Sequence, residues 1–147
     1  IMVNHDPEWV AEAFSNLVKN ALEQMPEGGQ LKITADVSPL TIQIRITDTG
    51  NGLPTEEIPF IFERFYRSST APKANAVGIG LSLAKTILDL NCADLTAISQ
   101  PGSGATFVVA FMMRRQQMTK SGAYPAAGEC AEKPVAKFVN KNHLKQS

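Results

Sequence analysis

The sequence lacks several features, and each absence excludes a class of protein. No apolar run approaches the roughly 20 residues that a membrane-spanning helix needs, and the first residues lack the basic and apolar regions of a signal peptide. Only two cysteines, Cys92 and Cys130, occur among the 147 residues, which is unlike a disulfide framework. We therefore expect a cytoplasmic domain with reduced thiols, cut from a longer chain.

The chain also lacks net charge, because 14 Lys and Arg residues balance 14 Asp and Glu residues. The balance is uneven: residues 114–147 hold seven basic and two acidic side chains, which leaves an acidic body. An acidic body suits nucleic acid poorly, so we expect no nucleic-acid partner. Residues 114–147 are rich in Ser, Gly, Pro, Lys and Asn and are predicted to be a disordered basic tail, and residues 1–113 to form one domain.

Hydrophobic periodicity predicts a helix followed by two strands in the first half of the body. Asp6 and Pro7 are typical of a helix start, and an apolar stripe of helical spacing runs from Val10 to Met25. Apolar and polar residues then alternate over 31–37 and 40–46, which predicts an antiparallel hairpin with one buried face.

The second half of the body is predicted to contain a short helix, a loop, a second helix and a hairpin. Residues 55–66 are predicted to be a short helix. Residues 67–78 are predicted to be a mobile loop, because few residues in that range are apolar. A second helix is expected from about Gly80 to Asn91, and a last hairpin over 94–113 that turns at 101–104.

Three groups of residues have chemistry that suits a phosphorylated ligand. Asn16 and Asn20 lie four residues apart and project from nearly the same side of the first helix. A neutral amide oxygen suits Mg²⁺, which keeps several waters and bridges phosphates. Two asparagines on a helix are more often structural, so this pair alone decides nothing.

Asp48 ends a strand and is followed by Gly50 and Gly52. Glycines let the backbone approach a flat ligand, and a carboxylate accepts a hydrogen bond from an exocyclic amine. Asp and Gly are also common turn residues, so a turn that closes a strand explains them equally well.

The glycines at 78 and 80 directly precede a predicted helix. Free N–H groups and the helix dipole favour phosphate at such a position, although a short glycine pattern is a weak signal. The segment is neither a P-loop, which needs Gly-Lys-Ser/Thr, nor the dinucleotide-binding fingerprint.

The order of these segments is far more specific than any one of them. Asn-Leu-Val-Lys-Asn-Ala at 16–21, Asp-Thr-Gly-Asn-Gly-Leu-Pro at 48–54, Phe-Glu-Arg-Phe-Tyr-Arg at 62–67 and Gly-Ile-Gly-Leu-Ser-Leu-Ala-Lys at 78–85 resemble the N, G1, F and G2 boxes of histidine kinases. Gly-Ser-Gly-Ala-Thr-Phe at 102–107 resembles the segment that closes their catalytic domain. The resemblance covers roughly residues 3–113.

The resemblance implies the ATP-binding fold shared by histidine kinases, gyrase, Hsp90 and MutL. This is an α+β fold, a two-layer sandwich in which helices cover one face of a mixed sheet. It further implies ATP and Mg²⁺ as ligands, a helical dimerisation domain that carries the phospho-accepting histidine, and a downstream response regulator. The parent kinase of such a domain can be membrane-anchored.

The resemblance also implies residue roles. Asn20 would hold Mg²⁺, Asn16 would assist with phosphate or metal, and Asp48 would recognise the adenine amine. Gly50 and Gly52 would shape the wall beside the adenine. Gly78, Gly80 and Leu81 would contact phosphate through their backbone. Tyr66 and Arg67 would form the base of the lid, with Arg67 reaching the terminal phosphate. Phe62 and Phe65 either anchor the lid or pack in the core.

Three departures from the family pattern leave two other functions open. Glu23 stands where many relatives have lysine, Ser82 replaces a third glycine, and Asn-Cys-Ala at 91–93 replaces His-Gly-Gly. Neither His5 nor His143 lies in the helical His-Glu context expected of a phospho-acceptor. The alternatives are a non-catalytic nucleotide-binding or partner-binding module and a serine kinase of the anti-sigma type on the same fold.

Overall fold

The computed structural model describes residues 5–69 and 78–113, in which two helices cover one face of a four-stranded sheet. The four strands, in chain order, are β1 (Leu31–Val37), β2 (Thr41–Asp48), β3 (Ala93–Ser99) and β4 (Ala105–Met112). The strands lie in the order β1-β2-β4-β3, and each neighbouring pair is antiparallel. The predicted α+β sandwich is confirmed. No parallel pairing of the expected mixed sheet occurs among the described strands, because the chain forms two hairpins joined through β2 and β4.

Helix α1 (Pro7–Glu23) forms as the sequence predicts. The Asp6 carboxylate accepts hydrogen bonds from the backbone N–H groups of Glu8 and Trp9, at 3.1 and 3.2 Å, and satisfies donors that have no partner inside the helix. One face of α1 is buried against the sheet through four small or aliphatic side chains: Val10, Ala13, Leu17 and Ala21. The helix ends at Glu23, and Gln24 takes the capping position.

The segment between β2 and the second helix holds a single 3-10 turn, Ile58–Phe60, in place of the short helix predicted over 55–66. Pro59 lies within this turn and cannot donate the hydrogen bond that a longer helix needs. Phe62 packs edge-on against Phe107 with ring centroids 6.4 Å apart, so core packing is its structural role. Phe65, in contrast, is two-thirds exposed.

Helix α2 (Gly80–Leu90) agrees with the predicted helix to within one residue. The turn after it departs from the Gly-Gly of the family pattern, and Cys92 adopts the positive φ of 56° that such a turn requires. Asn91 stabilises the turn, because its side-chain oxygen accepts the N–H of Asp6 at 2.7 Å.

The core lies between the helices and the central strands. Its largest fully buried hydrophobic side chains come from both helices and two strands, and they are Leu17, Ile46, Leu88, Phe107 and Val109. Helix α1 packs against β2 and α2 packs against β3, which leaves the opposite face of the sheet uncovered in the described residues.

Strand β1 departs from the prediction of one buried face. Ile33 is paired with the fully buried Ile46, yet Ile33 and Val37 are 57% and 56% exposed. The reason is that the two helices lie over the other strands and β1 extends beyond them. None of the helices in 5–69 and 78–113 is long and apolar enough to cross a membrane. The predicted tail, 114–147, and most of the predicted loop, 70–77, lie outside the described residues.

Candidate functional site

Two neighbouring sets of residues carry the chemistry that the sequence indicates. The first, called the buried end below, consists of Gln24, Asp48 and Gly50, where the C-terminus of α1 meets the end of β2. The second, called the open end, consists of Asn16, Asn20, Gly78 and Gly80, where α1 meets the N-terminus of α2.

Asp48 is the principal group of the buried end and is only 1% exposed. Its Oδ1 accepts the backbone N–H of Gly50 at 2.9 Å and that of Ala105 at 3.2 Å. Its Oδ2 is buried and has no hydrogen-bond partner among the described residues. Because an unpaired buried acceptor is costly, the arrangement suits a ligand that brings a donor to Oδ2.

The glycines near Asp48 are required by close backbone packing. A Cβ on Gly50 would lie 2.6 Å from the Gln24 carbonyl oxygen, and one on Gly52 would lie 2.1 Å from the Gln100 carbonyl oxygen. Gly104, which sequence reasoning did not assign to the site, would bring a Cβ within 2.0 Å of the Asp48 carbonyl oxygen. Because these glycines have no side chains, the loop after β2 packs closely against the turn before β4, and this packing holds Asp48 in place.

Asn16 and Gly80 meet at the open end. The Asn16 amide nitrogen donates to the Glu12 carbonyl oxygen at 3.0 Å and to Glu12 Oε1 at 3.3 Å. Its Oδ1 faces the second helix, because a Cβ on Gly80 would lie 3.5 Å from it. Asn20 is half-buried one turn further along α1.

The N-terminus of α2 lies beside Asn16. Its first N–H groups have no partner within the helix, as in any α-helix. The Ser82 hydroxyl donates to the Ile79 carbonyl oxygen at 2.8 Å and is buried, which accounts for a small polar residue in place of the third glycine. Leu81 is half-buried and packs against the core.

Gly78 joins the open end to the residues after the 3-10 turn. Its φ is +72°, and a Cβ on it would lie 2.7 Å from the Tyr66 carbonyl oxygen. The Phe65 N–H donates to the Gly78 carbonyl oxygen at 2.9 Å, and Phe65 itself has an unusual φ of 65°. Tyr66 is thereby placed next to Gly78, whereas Arg67 is exposed.

Glu57 holds this segment, although sequence reasoning did not single it out. Its carboxylate accepts hydrogen bonds from the Ser68 hydroxyl and, at 2.5 Å, from the Ser69 hydroxyl. These bonds lower the pKa of Glu57 below its ordinary value, the Ser68 bond contributing most. Burial raises the pKa of Tyr66, and the negative charge of Glu57 acts in the same direction.

The site holds few charged metal ligands. No group of three or more His, Cys, Asp or Glu side chains able to hold a metal ion occurs in the described part of the chain. A magnesium ion that arrives with nucleotide needs few protein ligands, because phosphate oxygens and waters supply most of its coordination. The amide oxygens of the open end fit that requirement.

The chain matches known proteins over the residues that form this fold. Residues 5–115 match the family model described as histidine kinase-, DNA gyrase B-, and HSP90-like ATPase. The chain is 37% identical over 111 residues to the heme sensor protein HssS of Staphylococcus saprophyticus. The matched region covers 76% of this chain and 24% of that protein. It is 30% identical over 121 residues to the sensor histidine kinase WalK of Bacillus subtilis, covering 80% of this chain and 20% of that protein.

Solved structures agree with the fold. The mycobacterial sensor histidine kinase MprB has a TM-score of 0.69 and 28% identity, with 75% of this chain and 76% of that chain covered. The catalytic domain of histidine kinase ThkA, at 23% identity and a TM-score of 0.64 over 75% of this chain and 71% of that chain, shows the fold alone. The chain spans about a quarter of the length of the curated relatives. It belongs to the histidine kinase-, DNA gyrase B- and HSP90-like ATPase family, within which it resembles the sensor histidine kinases.

Proposed function

We propose that this chain is the ATP-binding catalytic domain of a sensor histidine kinase. It binds ATP with Mg²⁺ and donates the γ-phosphoryl group to a histidine on a separate helical dimerisation domain, from which a response regulator receives it. The observation that carries the proposal is the unpartnered Oδ2 of the buried Asp48. The amine of adenine supplies the donor that this oxygen lacks.

Asp48 is suited to recognise the base because its other oxygen is already occupied. Hydrogen bonds from Gly50 and Ala105 fix the orientation of the carboxylate. Gly50 and Gly52 form the wall beside it, where bulkier residues would displace the backbone. A fixed acceptor with one open position favours a ligand whose donor lies at a matching point on a flat ring.

The phosphates are assigned to the open end. Asn20 would hold Mg²⁺ through its amide oxygen, and Asn16 would assist with phosphate or metal through its Oδ1. Backbone N–H groups of Gly78, Gly80 and Leu81 contact phosphate oxygens, with support from the positive end of the α2 dipole. When bound, the metal ion would neutralise phosphate charge.

We assign retention of the phosphoryl group for transfer to Asn16, which lies four residues before Asn20. Asn16 occupies the place where ATPases of this fold have a glutamate that activates water, and an amide cannot remove a proton. A neutral imidazole acceptor already offers a lone pair near pH 7. In the transfer, the bond from the γ-phosphorus to its bridging oxygen breaks as a P–N bond forms, and positioning and charge stabilisation supply the catalysis.

Tyr66 and Arg67 are assigned to the base of a lid over the nucleotide. Tyr66 lies beside Gly78 and interacts with Glu57. The backbone that leads into Arg67 is therefore fixed in position. Arg67 is assigned to the terminal phosphate, where a guanidinium is well suited to bidentate contact. We further assign residues 1–113 to this domain, 114–147 to a tail, and the domain to the cytoplasm, where ATP is available.

The proposal is tested with the intact chain and a separately produced dimerisation domain from a sensor kinase. Calorimetry is expected to show Mg²⁺-dependent binding of ATP. Labelled phosphate from γ-labelled ATP should then appear on the supplied histidine and be lost when that histidine is replaced. The chain alone should release phosphate far more slowly than the 1–100 s⁻¹ typical of efficient phosphoryl-transfer enzymes.

Two outcomes would contradict the proposal. ATP binding without transfer to any supplied domain indicates a nucleotide-binding module. Rapid phosphate release by the chain alone indicates an ATPase and removes the role given to Asn16.

A further inference from the structure

Gln24 carries a second buried acceptor that has no partner. Among the described residues, the side-chain oxygen and nitrogen atoms that are buried and unpaired are Gln24 Oε1 and Asp48 Oδ2. Since buried polar groups in native proteins almost always have partners, two unpaired acceptors in one region are unusual. Each of them lacks a donor.

The two side chains border the same point. A Cβ placed on Gly50 would lie 2.9 Å from Gln24 Cβ and 3.0 Å from Asp48 Oδ1. Gly50 is therefore close to both side chains and has no side chain of its own.

Gln24 is held in this position by its backbone. As the capping residue of α1, it donates its N–H to the Asn20 carbonyl oxygen at 3.2 Å. The following residue is also fixed, because Met25 is buried and its sulfur contacts the Thr49 hydroxyl at 3.6 Å. The end of α1 is thus attached to the loop that follows Asp48.

The two acceptors match the chemistry of a primary amine. An exocyclic amine carries two hydrogens, and a carboxylate oxygen and an amide oxygen can each accept one. Adenine has such an amine at its 6-position, whereas guanine has a carbonyl oxygen there. A single acceptor uses only one of the two hydrogens.

We propose that Gln24 is a specificity-determining residue that accepts the second amine hydrogen of adenine, beside Asp48. The inference rests on the proposed function, because it assumes that ATP occupies this site. It adds a residue at the C-terminus of α1 to the recognition of the base, and it gives the unpaired Oε1 a donor.

The test compares two nucleotides that differ only in the amine. ATP and purine riboside triphosphate, which has hydrogen at the 6-position, are titrated calorimetrically into the 147-residue chain with Mg²⁺. Gln24→Leu removes the acceptor and keeps a similar volume, and Gln24→Met is a second variant that keeps the unbranched chain. Gln30→Leu, at an exposed position, is the matched control, and circular dichroism verifies the fold of each.

We expect both Gln24 variants to weaken ATP by about tenfold, the factor that corresponds to one buried hydrogen bond. Binding of purine riboside triphosphate should change less than about twofold, and Gln30→Leu should change neither. Loss of affinity for both nucleotides by the same factor would overturn the proposal, since Gln24 would then only support the fold. Unchanged ATP affinity in the Gln24 variants would also overturn it.

The test separates this inference from the proposed function. Absence of ATP binding in the unaltered chain would overturn the proposed function and this inference with it. Normal ATP binding with an unchanged ratio of the two nucleotides would overturn the role of Gln24 alone.

Discussion

The buried end and the open end of the site are built in opposite ways. At the buried end, Asp48 is nearly inaccessible, its carboxylate is fixed by two backbone N–H groups, and unpaired acceptors remain at Asp48 and Gln24. At the open end, Asn16 and Asn20 are half-buried on a helix, and Gly80 faces Asn16. The buried end presents a fixed pattern of acceptors, whereas the open end presents amide oxygens and helix N-terminal N–H groups that have no partner within the helix.

This contrast predicts different consequences of substitution. Changes at the buried end should alter which nucleotide binds, because fixed acceptors discriminate between donors and acceptors on the base. Changes at the open end should alter whether a nucleotide with Mg²⁺ binds at all, because charge neutralisation occurs there.

The largest effect is expected at Asn20. Asn20→Ala removes the amide oxygen assigned to Mg²⁺ and should weaken Mg²⁺-dependent ATP binding by at least about 100-fold, since loss of even an outer-shell partner of a metal costs 10–100-fold. Calorimetry with Mg²⁺ measures the loss, and titration in a chelator is the control, where variant and parent should bind equally weakly. Normal affinity in the variant with Mg²⁺ present would remove the role assigned to Asn20.

A smaller effect is expected from exchanging the base. GTP places a carbonyl oxygen against the Asp48 acceptor, so ATP should be preferred by about 10-fold or more. Asp48→Asn introduces a donor and should weaken ATP while narrowing the gap to GTP. Competition of both nucleotides against a fluorescent ADP analogue measures the ratio. Equal affinities in the unaltered chain would show that Asp48 does not select the base.

The two glycines of the open end form a matched pair. Gly78→Ala should destabilise the fold by about 1–2 kcal/mol, because alanine at a φ of +72° is strained. Gly80 has no such strain, and its added Cβ would meet Asn16 Oδ1 at an ordinary 3.5 Å. Gly80→Ala should therefore keep its stability and lose ATP affinity by a few-fold. Urea unfolding and calorimetry separate the two effects, and equal destabilisation of both variants would contradict the distinction.

Local patterns in the sequence predicted most of the fold. The cap at Asp6, the apolar stripe of α1 and the four strands each depend on near neighbours, and they appear where expected. The exposure of Ile33 and Val37 was not predictable, because it depends on how far the helices extend across the sheet. Alternation identifies one side of a strand and does not show what covers that side.

In the candidate site, too, some residues were predictable from local sequence patterns and others were not. Asp48, Asn16 and Gly80 were identified from ordered motifs, which the structure brings together at two neighbouring places. Gln24 and Glu57 were missed, because neither belongs to a glycine or asparagine motif that signals a ligand. Their importance comes from contacts across the fold: an unpaired buried oxygen in one case and bonds to residues eleven and twelve positions away in the other.

The smallest effect is expected at Glu57, which tests how the open end is held. Its carboxylate accepts hydrogen bonds from Ser68 and Ser69, which hold its folded pKa below the ordinary value of 4.5. A lowered folded pKa means that this stabilisation is present above pH 4.5 and is lost as the pH falls through the folded pKa. Glu57→Gln should therefore lower the thermal midpoint modestly at pH 7, and the difference should shrink as the pH is lowered below 4.5.

Glu56→Gln is the control for this prediction, since Glu56 is exposed and, with Glu63, acts on Tyr66 through charge alone. Both substitutions remove one negative charge near Tyr66, so a pH-dependent difference between them isolates the hydrogen bonds to Ser68 and Ser69. Hydrogen exchange of the Ser69 amide, which donates to Glu57 Oε2 at 3.2 Å, should accelerate only in Glu57→Gln. Equal exchange in the two variants would show that charge near Tyr66, and not the Glu57 hydrogen bonds, sets the stability of this segment.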